Sequence, residues 1–234
     1  MKSFKKNFSL IEMLVALAVL LVLISLLSPA LNKVINHARK MACLNNIRVI
    51  GTAYQAYAED YNGAIPISAN RSPYNYYRWY FETAPYLDIE ISTLANFDAE
   101  GTVFECTTHD YRENDLPKYF GGYGLNYKFA GFVMGSSRVR WQRKKFSDME
   151  FSRETILLGD SQDFKDLSKP KNLLPLAYIY SPINSAYLGQ VGASIRHQRT
   201  FNKLWGDLHV SNDLWDEIAQ GRNGDIEYFY RFSK

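Results

Sequence analysis

The chain has 234 residues, enough for one domain with a sizeable core, or for a domain plus an extended element. An apolar fraction of 47% and a charged fraction of 22% argue against bulk disorder. The formal charge of +3 is local: Lys2, Lys5 and Lys6 are three of 27 basic residues, and the remaining 24 face 24 acidic ones, so the neutral body argues against broad nucleic-acid binding.

Residues 8–27 read FSLIEMLVALAVLLVLISLL, twenty residues with one charge, Glu12. At about 1.5 Å per residue they span about 30 Å, the hydrocarbon thickness of a bilayer. Leu, Ala and Met favour helix, and the apolar character runs all round, as a membrane span requires. A secretory signal peptide needs a small-x-small site after its apolar core. Ala16 and Ala18 have that spacing but lie inside the core, and Ser28 is followed by Pro29. An uncleaved signal anchor accounts for the length and the lysines, but not for the glutamate. A carboxylate at the centre of a membrane helix costs about 2.5–3.5 kcal/mol on insertion scales, so it calls for a partner. A cut between Asn7 and Phe8 creates one: the new α-amino group lies one helical turn from Glu12, on this chain or on a neighbour.

The segment KKNFSLIEMLVALAVLLVLISLLSPAL resembles the N-terminus of type IV prepilins and type II secretion pseudopilins. The shared pattern is a short basic leader, then Phe8, Ser9, Leu10, Ile11, Glu12 and a hydrophobic helix. The resemblance implies cleavage before Phe8 by prepilin peptidase, N-methylation of Phe8 and use of Glu12 in subunit packing. Asn7 departs from the family's usual Gly before the cut. Pro29 also fits the family and predicts a kinked continuation rather than a stop. Leu31, Val34, Ile35, Ala38, Ala42, Ile47, Ile50, Tyr54 and Tyr57 broadly keep a helical spacing beyond it. Gly63 and Pro66 then end a helix of about 80 Å.

Three regions follow: a leader at 1–7, a transmembrane and assembly helix at 8–61, and a globular β-rich head at 62–234. The expected class is α+β, with the helix packed on an antiparallel sheet. In the head, Tyr74, Tyr76, Tyr77, Trp79, Tyr80 and Phe81 form an aromatic cluster, read as packing against the helix. VFECTTHDY (103–111) places Cys106 after a short apolar strand. The two cysteines, Cys43 and Cys106, fit one disulfide in an oxidising compartment, and equally two free thiols. A bond between them closes a loop of about sixty residues and stabilises by about 4 kcal/mol on the chain-entropy model. The glycines of YFGGYGLNYKFAGFVMG lack the Lys-Ser/Thr pair of a phosphate loop and read as turns between short strands. RVRWQRKKF (138–146) reads as a solvated edge strand or loop rather than a nucleic-acid site.

ETILLGDS (154–161) reads as a buried strand ending at Asp160, and RHQRTFNKLWGDLHV (196–210) as two strands around a Gly206-Asp207 turn. Arg196, His197, Asn202, Trp205, Asp207, His209 and Val210 resemble the C-terminal signature of a large group of prepilin-type proteins, with nine residues between His197 and Asp207. Leu208 stands where that signature has Gly, which bears on the turn geometry. His197, His209, Asp207 and Asp160 invite a zinc or acid–base reading. No H-E-x-x-H helix supports it, and a structural role in the hairpin accounts for them better, with no catalytic residue and no metal assigned. Calcium at Asp207, Asp213 and Asp216 is the better ionic alternative.

The resemblance implies a non-enzymatic, pilin-like subunit. It would sit in the inner membrane by a single pass, with the leader cytoplasmic and the head periplasmic or in a surface filament. Its partners would be prepilin peptidase, other pilin-like subunits and the inner-membrane secretion or pilus machinery. The alternative is a membrane-tethered periplasmic binding module, or a metal-dependent hydrolase, that uses a pilin-type export signal.

Overall fold

A computed structural model of the chain describes residues 9–67, 69–71, 76–91, 97–108, 122–126, 132–134, 144–163, 178–179, 190–192, 197 and 200–214. The predicted positions Asn7, Phe8, Tyr74, 138–143, Arg196 and Asp216 lie outside them. The protein is α+β, and it divides into two units, residues 1–39 and residues 40–234.

Helix α1 (Leu10–Asp60) contributes to both units. At its start the Glu12 carboxylate accepts the Ser9 backbone N–H at 2.8 Å, the glutamate half of an S-x-x-E capping box. The helix runs through Pro29. Proline has no N–H, so the Ser25 carbonyl loses its helical donor there. None of the described residues of the first unit, 9–39, is buried. Leu10, Leu14, Leu17, Leu20 and Leu27 are all more than half exposed. This is one helix long and apolar enough to cross a membrane.

The second unit holds the core. From Cys43 onward the helix buries a stripe, Cys43, Ile47, Ile50 and Tyr54, at three- and four-residue spacing. The helix ends as a Schellman motif: Asn62 takes a left-handed φ of 53°, and the Gly63 N–H donates to the Ala58 carbonyl at 2.7 Å. The helix therefore ends at Asp60, one residue short of the predicted 61, just before the predicted stop at Gly63.

Next come β1 (Ala69–Arg71), β2 (Tyr76–Arg78), the short helix α2 (Trp79–Thr83), β3 (Tyr123–Asn126), β4 (Phe132–Met134) and β5 (Ile156–Asp163). The chain continues with β6 (Tyr178–Ile179), β7 (Gln190–Gly192), β8 (Thr200–Trp205) and β9 (Val210–Leu214). The main sheet runs β6-β3-β5-β8-β9, with β7 beside the end of β5. Four consecutive strands, β3, β5, β8 and β9, are antiparallel, while β6 joins β3 in parallel. A smaller sheet orders β2-β1-β4.

Strand alternation decides which residues meet the helix. Register pairs Tyr123 with Asp160, Leu125 with Leu158, and Leu158 with Leu204, so these share one face. A Cβ on Gly51 of α1 would come within 2.9 Å of Leu204 Cδ1, so helix and sheet are in tight contact there. On the opposite face, Gly159 leaves room for the Phe201 ring, which would sit 2.5 Å from an added Cβ.

Two expectations about elements need correction. Residues 103–106 form turns rather than a strand. Thr102 N–H bonds the Ala99 carbonyl, Glu105 N–H bonds the Thr102 carbonyl, and Phe104 N–H bonds Thr102 Oγ1. Local bonds satisfy this backbone while Phe104 drops into the core, so its apolar pair is an anchor rather than a strand signal. Strand β5 runs on past Asp160 to Asp163, because β7 extends the ladder there. The aromatic prediction holds for Trp79 and Tyr80, both buried, with Trp79 edge-on to Tyr54 of α1 at 5.9 Å.

Candidate functional site: a buried thiol, imidazole and carboxylate cluster

Four segments bring chemistry to one point beneath α1. Cys43 opens the buried stripe of the helix. Cys106 sits on the 97–108 segment, which Asn46 pins to α1 by donating to the Glu105 carbonyl at 2.9 Å. Asp160 belongs to the helix-facing row of β5. His197 is tied to the first residue of β8, where its carbonyl accepts the Thr200 N–H at 3.2 Å and the Thr200 hydroxyl at 2.6 Å. Tyr123 adds a strut, donating to the carbonyls of Cys43 and Glu105 at 3.3 and 3.2 Å.

The reactive atoms face one another. No disulfide joins Cys43 and Cys106, and their Sγ atoms lie 3.0 Å apart. Cys106 Sγ lies 3.4 Å from His197 Nε2, and the same nitrogen lies 3.5 Å from Asp160 Oδ2. All four residues are buried. Asp160 Oδ2 also accepts the Asn202 backbone N–H at 2.9 Å. Thr107 and Thr108 place hydroxyls 3.5 Å from Cys43 Sγ and 3.1 Å from Cys106 Sγ. Among the described residues, Asp160 Oδ1 and His197 Nδ1 have no hydrogen-bond partner.

This environment redistributes protons. The bond from Cys106 is the main cause that brings the Cys43 thiol down to about 3, against burial, which opposes charge; His197 and Thr107 add to the lowering. Burial alone would lower the His197 imidazole, but its bonds to Asp160 and Cys43 outweigh that and raise it to about 9. Burial pushes the Tyr123 phenol well up, so it remains a donor.

The predicted quartet of His197, His209, Asp207 and Asp160 is therefore two separate places. Asp207 and His209 sit on the exposed turn between β8 and β9, where Asp207 accepts the His209 backbone N–H at 3.2 Å and also contacts the His209 ring. His209 stacks on Trp205 at 5.5 Å, and Arg153 lies 3.4 Å from Asp207. Asp213 pairs with the buried amine of Lys203, so of the predicted calcium trio the two described carboxylates both face protein cations. Asn202 holds Asp160 through its backbone, and its side-chain oxygen accepts from Asn212 at 2.7 Å. The sequence reading missed that the cysteine pair joins His197 and Asp160. The available signal was register: Asp160 lies on the Leu158 row that packs against α1.

Fold and cluster together define a class: an α+β head bearing a membrane-length apolar helix, with a buried Cys-Cys-His-Asp cluster at the helix–sheet contact. A family model described as "Protein of unknown function (DUF1559)" matches residues 36–144, just under half of the chain. The matched stretch contains Cys43 and Cys106 but neither Asp160 nor His197. No curated protein and no solved structure matches the chain.

Proposed function

We propose that the protein is a pilin-like structural subunit, cut between Asn7 and Phe8 by prepilin peptidase and assembled through its N-terminal helix into a secretion pseudopilus or type IV pilus-like filament. The observation that carries this reading is the exposure of the largely apolar run 10–31, none of whose residues is buried. Such a surface calls for lipid before assembly and for neighbouring helices afterwards. Along one face, Glu12, Met13, Ala16, Leu17 and Leu20 line a groove, where the small Ala16 lets another helix approach.

In this reading the leader lysines stay cytoplasmic, the helix crosses the inner membrane and the head lies outside it. Glu12 has two roles in sequence. In the separate subunit it caps its own helix through Ser9. In the assembly it pairs with the methylated amine of Phe8 on a neighbour. A tethered hydrolase is less well supported, because the His197 and Asp160 side chains are fully buried, away from any substrate.

Glu12→Ala tests the mechanism. Membrane insertion should persist, while cross-linked multimers in host membranes should fall by roughly tenfold or more, as expected for losing an ion pair in an apolar setting. Multimers at the native level would refute the role of Glu12. Sequencing the N-terminus of the host protein tests the processing: N-methylated Phe8 is expected, and an intact Met1 would favour a plain anchor.

A further inference from the structure

We propose that Cys43, Cys106, His197 and Asp160 form a closed structural site for a zinc ion that fastens α1 to the sheet. The inference is independent of the assembly reading, since every ligand lies in the second unit.

Chemistry supports it first. Two sulfurs, one imidazole nitrogen and one carboxylate oxygen are a mixed donor set suited to zinc, and full enclosure is the mark of a structural rather than a catalytic site. Geometry supports it next. Zinc holds sulfur at about 2.3 Å and nitrogen or oxygen at about 2.0–2.2 Å, so tetrahedral ligand edges run from about 3.4 Å for N···O to about 3.8 Å for S···S. The Sγ–Nε2 distance of 3.4 Å and the Nε2–Oδ2 distance of 3.5 Å are close to such edges. The Sγ–Sγ pair at 3.0 Å needs to open by about 0.8 Å. Both sulfurs and a His197 ring nitrogen already lie within 4.8 Å of one another, whereas Asp160, beside Nε2, stands outside that group and has to turn toward the sulfurs to complete the tetrahedron.

The hydrogen-bond count supports it third. One imidazole nitrogen faces both Cys106 Sγ and Asp160 Oδ2, and a single N–H cannot serve both well. A cation at their centre satisfies both acceptors together. The surrounding donors also fit a charged cluster: the Thr107 and Thr108 hydroxyls approach the sulfurs, and the Asn202 N–H holds the carboxylate oxygen. A Cys43–Cys106 disulfide is the competing state. It leaves a buried imidazole and carboxylate aimed at neutral sulfur, with no purpose for the two threonine donors.

The test uses the full chain, extracted from membranes in detergent without chelators or added metal. Elemental analysis should find about one zinc per chain. Cys43→Ser, Cys106→Ser, His197→Gln and Asp160→Asn should each weaken retention during dialysis by about tenfold or more. Asp160→Asn keeps the side-chain shape and guards against a trivial failure to fold. Cobalt(II) exchanged into the native chain should give tetrahedral d–d bands and a thiolate charge-transfer band, with the latter weakened in Cys106→Ser. Zinc-free protein overturns the proposal in either of two forms: a chain lighter by two hydrogen atoms, which shows a disulfide, or a chain with two reactive thiols. Zinc that is retained equally by all four variants overturns it as well.

Discussion

Leu20 and Ile47 lie on the same helix, yet Leu20 is 53% exposed and Ile47 is fully buried. Both are aliphatic residues in good helical surroundings, so propensity does not separate them. What differs is the rest of each helical turn. Around Leu20 every neighbour is apolar, and the helix has no polar face to give to water. Around Ile47 the turn is two-sided: Asn46 and Arg48 flank it, and a stripe from Cys43 to Tyr54 meets the sheet. A helix that is apolar all round awaits an apolar medium, whereas one with a single apolar stripe awaits a partner in its own chain.

Truncation should break this symmetry of composition most sharply. Trp79 is buried among Tyr54, Tyr80 and Phe104, with ring centroids 5.5–5.9 Å away. Trp79→Ala should cost about 3–5 kcal/mol of head stability, read by chemical denaturation. Leu20→Ala should leave the same transition unmoved, because Leu20 has no place in that core. An equal loss in both variants would mean that the two units unfold as one.

The two regions were also unequally legible. The apolar span, its length and Glu12 can be read directly, because a membrane-length run is a one-dimensional signal. The capping role of Glu12 is equally readable in Ser9-x-x-Glu12, a local spacing. In the head, ILLGDS and FNKLW announced β5 and β8, since continuous apolar runs mark central strands. VFEC at 103–106 gave a false strand, because a single anchoring Phe looks the same in sequence as the start of a ladder. The cluster was half visible. Cys43 with Cys106 came from counting, His197 came from the resemblance, and Asp160 came from its place at the end of a buried strand. Joining the two pairs needed the β3–β5–β8 register, a long-range fact that no local pattern encodes.

A smaller effect concerns charge inside the head. The Lys203 amine is fully buried, bonds the Asp213 carboxylate and lies over the Phe201 and Trp205 rings at 5.6 and 5.0 Å. Burial tends to raise the Asp213 pKa, but Lys203 and Ser211 overcome this and lower it. A carboxylate depressed in the folded state stabilises above its unfolded pKa, and that stability is lost as pH falls through the folded value. The head should therefore weaken on acidification below about pH 4. Asp213→Asn should flatten that part of the profile and cost about 2 kcal/mol at neutral pH, less than a fully buried pair because Asp213 is partly solvated. An unchanged acid limb in the variant would show that other carboxylates set it.

The smallest expected effect lies at the turn, where Leu208 takes the place of the glycine in the resembled signature. The substitution has not abolished the glycine-like geometry: Leu208 adopts a φ of 68°, in the left-handed region. That conformation costs an L-residue about 1–2 kcal/mol. The geometry is held by its surroundings, since Leu208 N–H bonds the Trp205 carbonyl and Trp205 N–H bonds the His209 carbonyl, both at 2.9 Å. Leu208 recovers part of the strain by packing, half-buried, against the core. Leu208→Gly loses that packing but releases the strain, so the two terms should nearly cancel, leaving stability within about 1 kcal/mol of the native chain. Leu208→Ala loses the packing and keeps the strain. Glycine should therefore be the more stable of the two variants by about 1 kcal/mol, the reverse of the order at ordinary positions, where alanine restricts the unfolded chain and wins. Parallel thermal melts of the two variants measure this order directly, and an alanine variant more stable than the glycine one would mean that the turn relaxes out of the left-handed region in solution.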